Sequence, residues 1–188
     1  MNEGRSGTPE ELDAAIGRAR VGDAEAFGVL YDAFVDRIFR YARIRVGNDL
    51  DAEDLTEQVF LRAWQAIRRY EDRGKPFVAW LYAIAGNVVV DHFRGQRARA
   101  PLDPNLVDDA PNTDPVHMSE QDSRRRALER AIRRLSPDQQ QVVIMRFIEG
   151  YSPADVAEAI GKREGTVRVI QHRALSTLRS LLGAEVLR

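Results

Sequence analysis

Apolar residues along this chain recur at spacings of three and four, and no stretch alternates convincingly with period two, so the pattern predicts helices and no strands. A short helix is expected at about 10–20. Asp23 can cap a second, in which Phe27, Leu30, Tyr31, Phe34, Ile38 and Tyr41 share a face and which Gly47 ends. Asp51 is expected to open a third, with Glu53 and Asp54 in the first turn, where carboxylates suit the positive end of the helix dipole. Its inward face runs through Leu55, Val59, Ala63 and Ile67. A fourth begins at Lys75-Pro76, with proline in the tolerated first turn, and repeats Phe77, Trp80, Leu81, Ile84 and Val88.

From about 96 to 122 the periodicity stops. Pro101, Pro104, Pro111 and Pro115 stand there, and residues 100–123 carry six acids (Asp103, Asp108, Asp109, Asp114, Glu120, Asp122) and no base. So little apolar surface reads as a flexible acidic linker. Helical spacing resumes at Arg124. One helix runs to Leu135, and Ser136-Pro137 starts a second that Gly150 closes. Ser152-Pro153 starts a short third closed by Gly161. A fourth follows Lys162-Arg163-Glu164-Gly165 and turns Val167, Ala174, Leu175, Leu178 and Leu182 inward. The expected fold is all-α: two small helical domains, a bundle at 23–97 and a helix-turn-helix body at 123–188, joined by a linker at 98–122 and preceded by an extension at 1–22.

Composition sharpens this picture by exclusion. With 188 residues and 44% hydrophobic content the chain can build two modest cores. Zero cysteines exclude disulfides, thiol nucleophiles and cysteine-bearing zinc sites. Three scattered histidines (92, 117 and 172) make no metal set, and no cofactor is expected. The start, MNEGRSGTPEELDAA, lacks the apolar core of a signal peptide, and no run reaches the roughly 18 apolar residues of a membrane span, so a soluble cytoplasmic protein is expected.

Charge changes the picture more. The total of 28 bases and 29 acids is nearly neutral, but residues 1–117 hold 15 bases and 20 acids while residues 118–188 hold 13 bases and 9 acids. The basic body is the one with the helix-turn-helix spacing. In that motif the second helix enters the major groove with its amino-terminal half against base edges. Here that half reads GTVRVIQHR. With Val167 and Ala174 inward, Arg168, Val169, His172 and Arg173 project outward, chemistry suited to guanine edges and thymine methyls. Lys162 and Arg163 fall at the turn, where phosphate contacts set register. A helical protein-binding module with a solvated basic face has the same pattern.

Taken together, the two bodies resemble the bacterial RNA polymerase sigma factors of the compact extracytoplasmic-function (ECF) group, over about residues 23–100 and 123–183. DAEDLTEQVFLRAW (51–64) is similar to the family's polymerase-binding helix. KPFVAWLYAIAGNVVVDHFR (75–94) is similar to its promoter-melting helix, and LSPDQQQVVIMRFIEGYSPADVAEAIGKREGTVRVIQHRALSTLR (135–179) to its −35-binding domain. The resemblance implies a promoter-specificity subunit and not an enzyme. It implies contact of Asp54, Glu57, Gln58, Phe60 and Leu61 with the clamp helices of the largest subunit of core RNA polymerase. It implies capture of the −10 strand of promoter DNA by Tyr82, Asn87, Arg94 and Arg97. At the −35 element it implies Lys162, Arg163, Thr166, Arg168, Val169, Gln171, His172 and Arg173. The acidic linker would thread the polymerase cleft, and an anti-sigma factor is an expected partner.

The chain departs from the family pattern at several points. Gly86 stands where arginine is frequent, and Arg163 where serine commonly caps the recognition helix. Val169-Ile170-Gln171 replaces the usual Ser-Arg-Leu, so the inward apolar position moves to Ile170 and Gln171 comes nearer the groove. Two other classes share parts of the pattern. A conventional helix-turn-helix regulator would bind duplex DNA without polymerase. A nucleic-acid enzyme would need a phosphate loop, a metal pair or a triad; none is apparent, and the adjacent Asp91 and His92 diverge on a helix.

Overall fold

The computed structural model describes residues 7–72, 74, 76–99 and 120–186, with the backbone alone at 97–99 and 184–186. Among these residues the structure is helical, without strands. The first half comprises α1 (Pro9–Arg20), α2 (Ala24–Val46), α3 (Asp49–Ala66) and α4 (Phe77–Arg99); the second comprises α5 (Glu120–Arg133), α6 (Pro137–Val143), α7 (Pro153–Ala159) and α8 (Glu164–Val186).

Helix ends follow the local chemistry. Asp23 caps α2 by accepting the Ala26 N–H at 3.0 Å, and Gly47 terminates it in the left-handed region at φ 87°. Ser136 and Ser152 each open a helix with a reciprocal capping box and proline in the first turn. The start of α3 differs from the expected one. Asn48 is the cap: its Oδ1 accepts the Asp51 N–H at 2.8 Å while its Nδ2 donates to the Asp51 carboxylate at 2.9 Å. Asp51 is therefore the reciprocal partner inside the first turn.

In the front bundle α2 packs against α1, α3 and α4. Leu30, Ile38, Tyr41, Leu55, Val59, Ile67 and Leu81 are buried there. At about 1.5–3 kcal/mol for each fully buried large apolar side chain, this face supplies the bundle's main stabilisation. In the back body Ile132, Val142, Ile144, Met145, Val156, Val167, Ala174 and Leu178 form the corresponding interior. Leu175, expected inward, is 42% exposed, because the buried stripe of α8 descends through 167, 170, 174 and 178.

Two further differences concern element ends. α4 continues to Arg99 and α5 begins at Glu120, so both helices reach into the stretch read as linker; residues 100–119 lie outside the described ones. Acidic Glu120 and Asp122 suit the amino end of α5, and Glu120 pairs with Arg124 one turn on. After α6 the chain widens into a π-helical turn, Ile144–Ile148, before Gly150 bends it at φ 78°.

The two bodies are in direct contact: α5 lies against α2, and α6 and α7 lie against α4. Their buried residues form one continuous cluster. Among the described residues no helix is long and apolar enough to cross a membrane, and no group of His, Asp or Glu is placed to hold a metal.

Candidate nucleic-acid interface

The outward face of α3 is polar with one large apolar member. Asp54, Glu57, Gln58 and Leu61 are exposed, Leu61 by 57%. Leu50, at the start of the same helix, is more exposed still. These positions repeat at three and four, so they present one continuous stripe. Phe60 does not belong to it. It is 4% exposed and boxed by the rings of Tyr31 at 4.7 Å and Phe27 at 6.4 Å. The inward stripe of α3 is wider than Leu55–Val59–Ala63 and includes Ala52, Thr56 and Phe60, the width an amphipathic helix needs to cover a core. The expected contact of Phe60 with a partner is corrected: its ring is core.

On α4 the outward positions are Asn87, Asp91 and Arg94, spaced by four and three on one face. Asp91 accepts from Arg62 of α3 at 3.0 Å and lies 4.0 Å from Arg94. This ion pair orients the stripe from the neighbouring helix. Arg97 is on the last turn of the helix, and its side chain lies outside the described residues. Tyr82, expected to stack on bases, is a second correction. It is fully buried, its ring tilted against Tyr41 at 5.2 Å and edge-on to Tyr151 of the back body at 5.8 Å. Burial pushes its hydroxyl well above the usual phenol range. Phe77 and Tyr70 are buried as well, edge to face at 5.1 Å. Asn87 borders a cleft of about 370 Å³ whose other wall is Pro137, Asp138, Gln141 and Glu158.

The helix-turn-helix geometry is set by Gly161, at φ 63°, and by the Lys162 N–H donating to the Ala157 carbonyl at 2.8 Å. Arg163 immediately precedes α8, and its carbonyl accepts from the Thr166 and Val167 N–H groups at 2.9 and 3.1 Å. Lys162, Arg163, Thr166, Arg168, Val169, His172 and Arg173 are all exposed, on the amino-terminal half of α8 or the turn before it. Arg168 is extended along the helix by a 2.6 Å bond to Glu164, and Lys162 lies 3.1 Å from Asp138. Ile170 packs on the core. Gln171 is half-buried, and its Oε1 accepts from Arg146 at 3.2 Å. The same Arg146 also donates to the Tyr151 carbonyl. Arg146 and Arg62 were not singled out from the sequence. Both act across helices, and helical periodicity carries no sign of such contacts.

The chain thus brings two helix faces suited to nucleic acid into one molecule. The sigma-70 region 2 family model matches residues 30–99, and the sigma-70 region 4 family model matches residues 125–178. The chain is 43% identical over 173 residues to the ECF RNA polymerase sigma factor BldN of Streptomyces coelicolor, covering 89% of this chain and 64% of that protein. This chain therefore spans just under two thirds of BldN's length. It is 37% identical over 177 residues to the ECF RNA polymerase sigma factor SigD of Mycobacterium tuberculosis, covering 90% of this chain and 83% of SigD. Among solved structures, that of CnrH in complex with the cytosolic domain of CnrY has a TM-score of 0.69 at 22% identity, covering 93% of this chain and 98% of that one; the likeness shows the fold.

Proposed function

The chain belongs to the ECF sigma factors of RNA polymerase, and on that premise we propose that it binds core RNA polymerase, recognises a promoter and opens it for transcription initiation. The observation that carries this reading is the joint presence of the exposed Asn87–Asp91–Arg94 stripe on α4 and the exposed basic start of α8 in one chain. A conventional operator-binding regulator needs only the second. In the proposed division of labour residues 23–97 act as region 2, residues 98–122 as the connecting linker and residues 123–188 as region 4.

On α3, Asp54, Glu57, Gln58 and Leu61 form the polymerase contact, a polar stripe with an apolar anchor suited to a partner helix. Phe60 supports that stripe from beneath. On α4, Asn87 offers both a donor and an acceptor to an unstacked base, and Arg94, with Arg97, takes the strand's phosphates. At the −35 element Arg168 and Arg173 read base edges, Val169 meets a methyl group, and Lys162, Arg163 and Thr166 hold the backbone. Gln171 and His172 flank that surface. The protein's part in initiation is binding and strand capture, and the polymerase forms the bonds. It would work in the cytoplasm with the polymerase. The solved relatives CnrH and a RpoE from Bartonella quintana are bound to CnrY and to the anti-sigma factor NepR, which supports an anti-sigma partner for this chain.

Run-off transcription tests the assignment. Purified protein with core polymerase should yield discrete transcripts from a promoter library. No specific product would sink it, as would a tight footprint on duplex DNA by the protein alone. In the same assay the Asp54→Ala/Gln58→Ala double variant should bind core polymerase at least tenfold more weakly with its unfolding midpoint unchanged.

A further inference from the structure

Two cations of the DNA-facing surface are each bound to a carboxylate of the same body, in different settings. Lys162, in the turn before α8, lies 3.1 Å from Asp138, which belongs to the first turn of α6. Arg168 donates its Nη2 to Glu164 Oε1 at 2.6 Å, one turn back along α8. Acid before base at a spacing of four is the favoured order for such a pair on a helix. Both partners of this second pair stay open to solvent, Arg168 at 70% and Glu164 at 45% of the side chain. A carboxylate therefore stands on the surface proposed to approach an anionic duplex, beside a residue proposed to read a base.

We propose that Glu164 is a specificity-determining residue of the −35 reader: it keeps Arg168 available to base edges and bars it from phosphates. This role rests on the −35 reading of α8. Charge and donor count set the asymmetry. A phosphate is a full anion, and the Glu164 carboxylate repels it from the shared guanidinium within the roughly 8–10 Å over which salt leaves charges unscreened. The O6 and N7 edges of guanine are neutral acceptors and meet far less repulsion. Arg168 has five N–H donors, of which Glu164 takes one, so the fork can address guanine with the ion pair intact. On cognate DNA Arg168 is engaged with a base. On any other sequence its remaining contact is phosphate, the contact that dominates nonspecific binding. Glu164 thus weakens wrong complexes more than the right one, a repulsive device in the service of specificity. Asp138 acts differently. Lys162 meets the backbone in right and wrong complexes alike, so an acid beside it weakens both equally.

Glu164 also suits the positive end of the α8 dipole, so the test reads DNA discrimination and not stability. Holoenzyme is reconstituted with full-length variants and bound to two promoters that differ only at −35. One carries the −35 sequence that the unsubstituted holoenzyme selects from a randomised library, the other a scrambled one. Glu164→Gln should bind the scrambled promoter about three- to fivefold more tightly and the selected one by less than about twofold. Its slope of log K against log salt should steepen on the scrambled promoter alone, by roughly 0.9, the value of one phosphate contact. Glu164→Asp, which keeps the charge, should discriminate as the unsubstituted protein does. Asp138→Asn should strengthen binding to both promoters by the same factor. Equal gains on both promoters from Glu164→Gln would overturn the role, as would a changed base preference at one −35 position, which makes Glu164 itself a reader. An unsubstituted holoenzyme that selects no −35 sequence sinks the −35 reading and this role together. Selection with unchanged discrimination in Glu164→Gln sinks the role alone.

Discussion

α4 and α8 are each 23 residues long, and each is a helix proposed to face DNA, yet the molecule treats them in opposite ways. α8 is covered on one side only, and from Glu164 to Arg173 it buries little beyond Val167. α4 is covered on two sides, by α2 and α3 of its own bundle and by α6 and α7 of the other body, and it buries Phe77, Val78, Ala79, Leu81, Tyr82, Ala85, Val88 and Val89. A helix with one buried stripe announces its working face by subtraction. A helix with two does not, because residues that look spare in its own bundle are claimed by the neighbouring body. Tyr82 is such a residue.

The largest effect expected from this contrast is on stability. Leu81→Ala, in the doubly covered helix, should cost about 2–5 kcal/mol in urea unfolding. Leu175→Ala, on the open side of α8, should cost no more than about 0.5 kcal/mol. Equal losses would mean that α4 is not enclosed as described. Next in size is recognition. Arg168→Ala and Arg173→Ala should each weaken −35-dependent holoenzyme binding by about 1–3 kcal/mol while leaving strand opening on a pre-melted template intact. Asn87→Ala should do the reverse, and permanganate footprinting at the −10 region distinguishes them. If both classes of variant fail on both templates, the two helices do not divide the work.

The smallest effect is at a helix start. Asp23 is held below the usual carboxylate range first by the Ala26 N–H and then by Arg18. Its stabilisation is therefore full above the ordinary aspartate value, near 3.8, and is lost as the pH falls through the lower folded value. Asp23→Asn should flatten the acid limb of the stability profile of the front bundle slightly, and an unchanged limb would assign that limb to other carboxylates.

What could be read in advance was whatever depends on near neighbours along the chain. The Ser136 and Ser152 starts, the Gly47 and Gly161 ends and the inward Val167 and Ala174 follow from capping and periodicity. Asn48 was missed as a cap because Asp51 satisfies the same rule three residues later, and only the structure shows that the two bond to each other. Phe60 was misassigned because the inward stripe was drawn too narrow. The ties between bodies were out of reach altogether. Arg37 and Glu149 are 112 residues apart, and neither carries a local sign of its partner.

The π-helical turn at Ile144–Ile148 has a consequence for helical phase. There the Glu149 N–H reaches back five residues to the Ile144 carbonyl, at 3.0 Å, where an α-helix would reach back four. The turn thus holds one residue beyond the α-helical count, equivalent to about 100° of rotation. Side chains up to Glu149 are carried round by that angle, and Glu149, at the end of the turn, meets Arg37 at 2.8 Å; beyond it Gly150 bends the chain at φ 78°, and Tyr151 reaches Arg37 from after that bend. Without the extra residue the Glu149 carboxylate would sweep away from α2, and Arg37 and Arg40 would lose the acid that ties them to the back body.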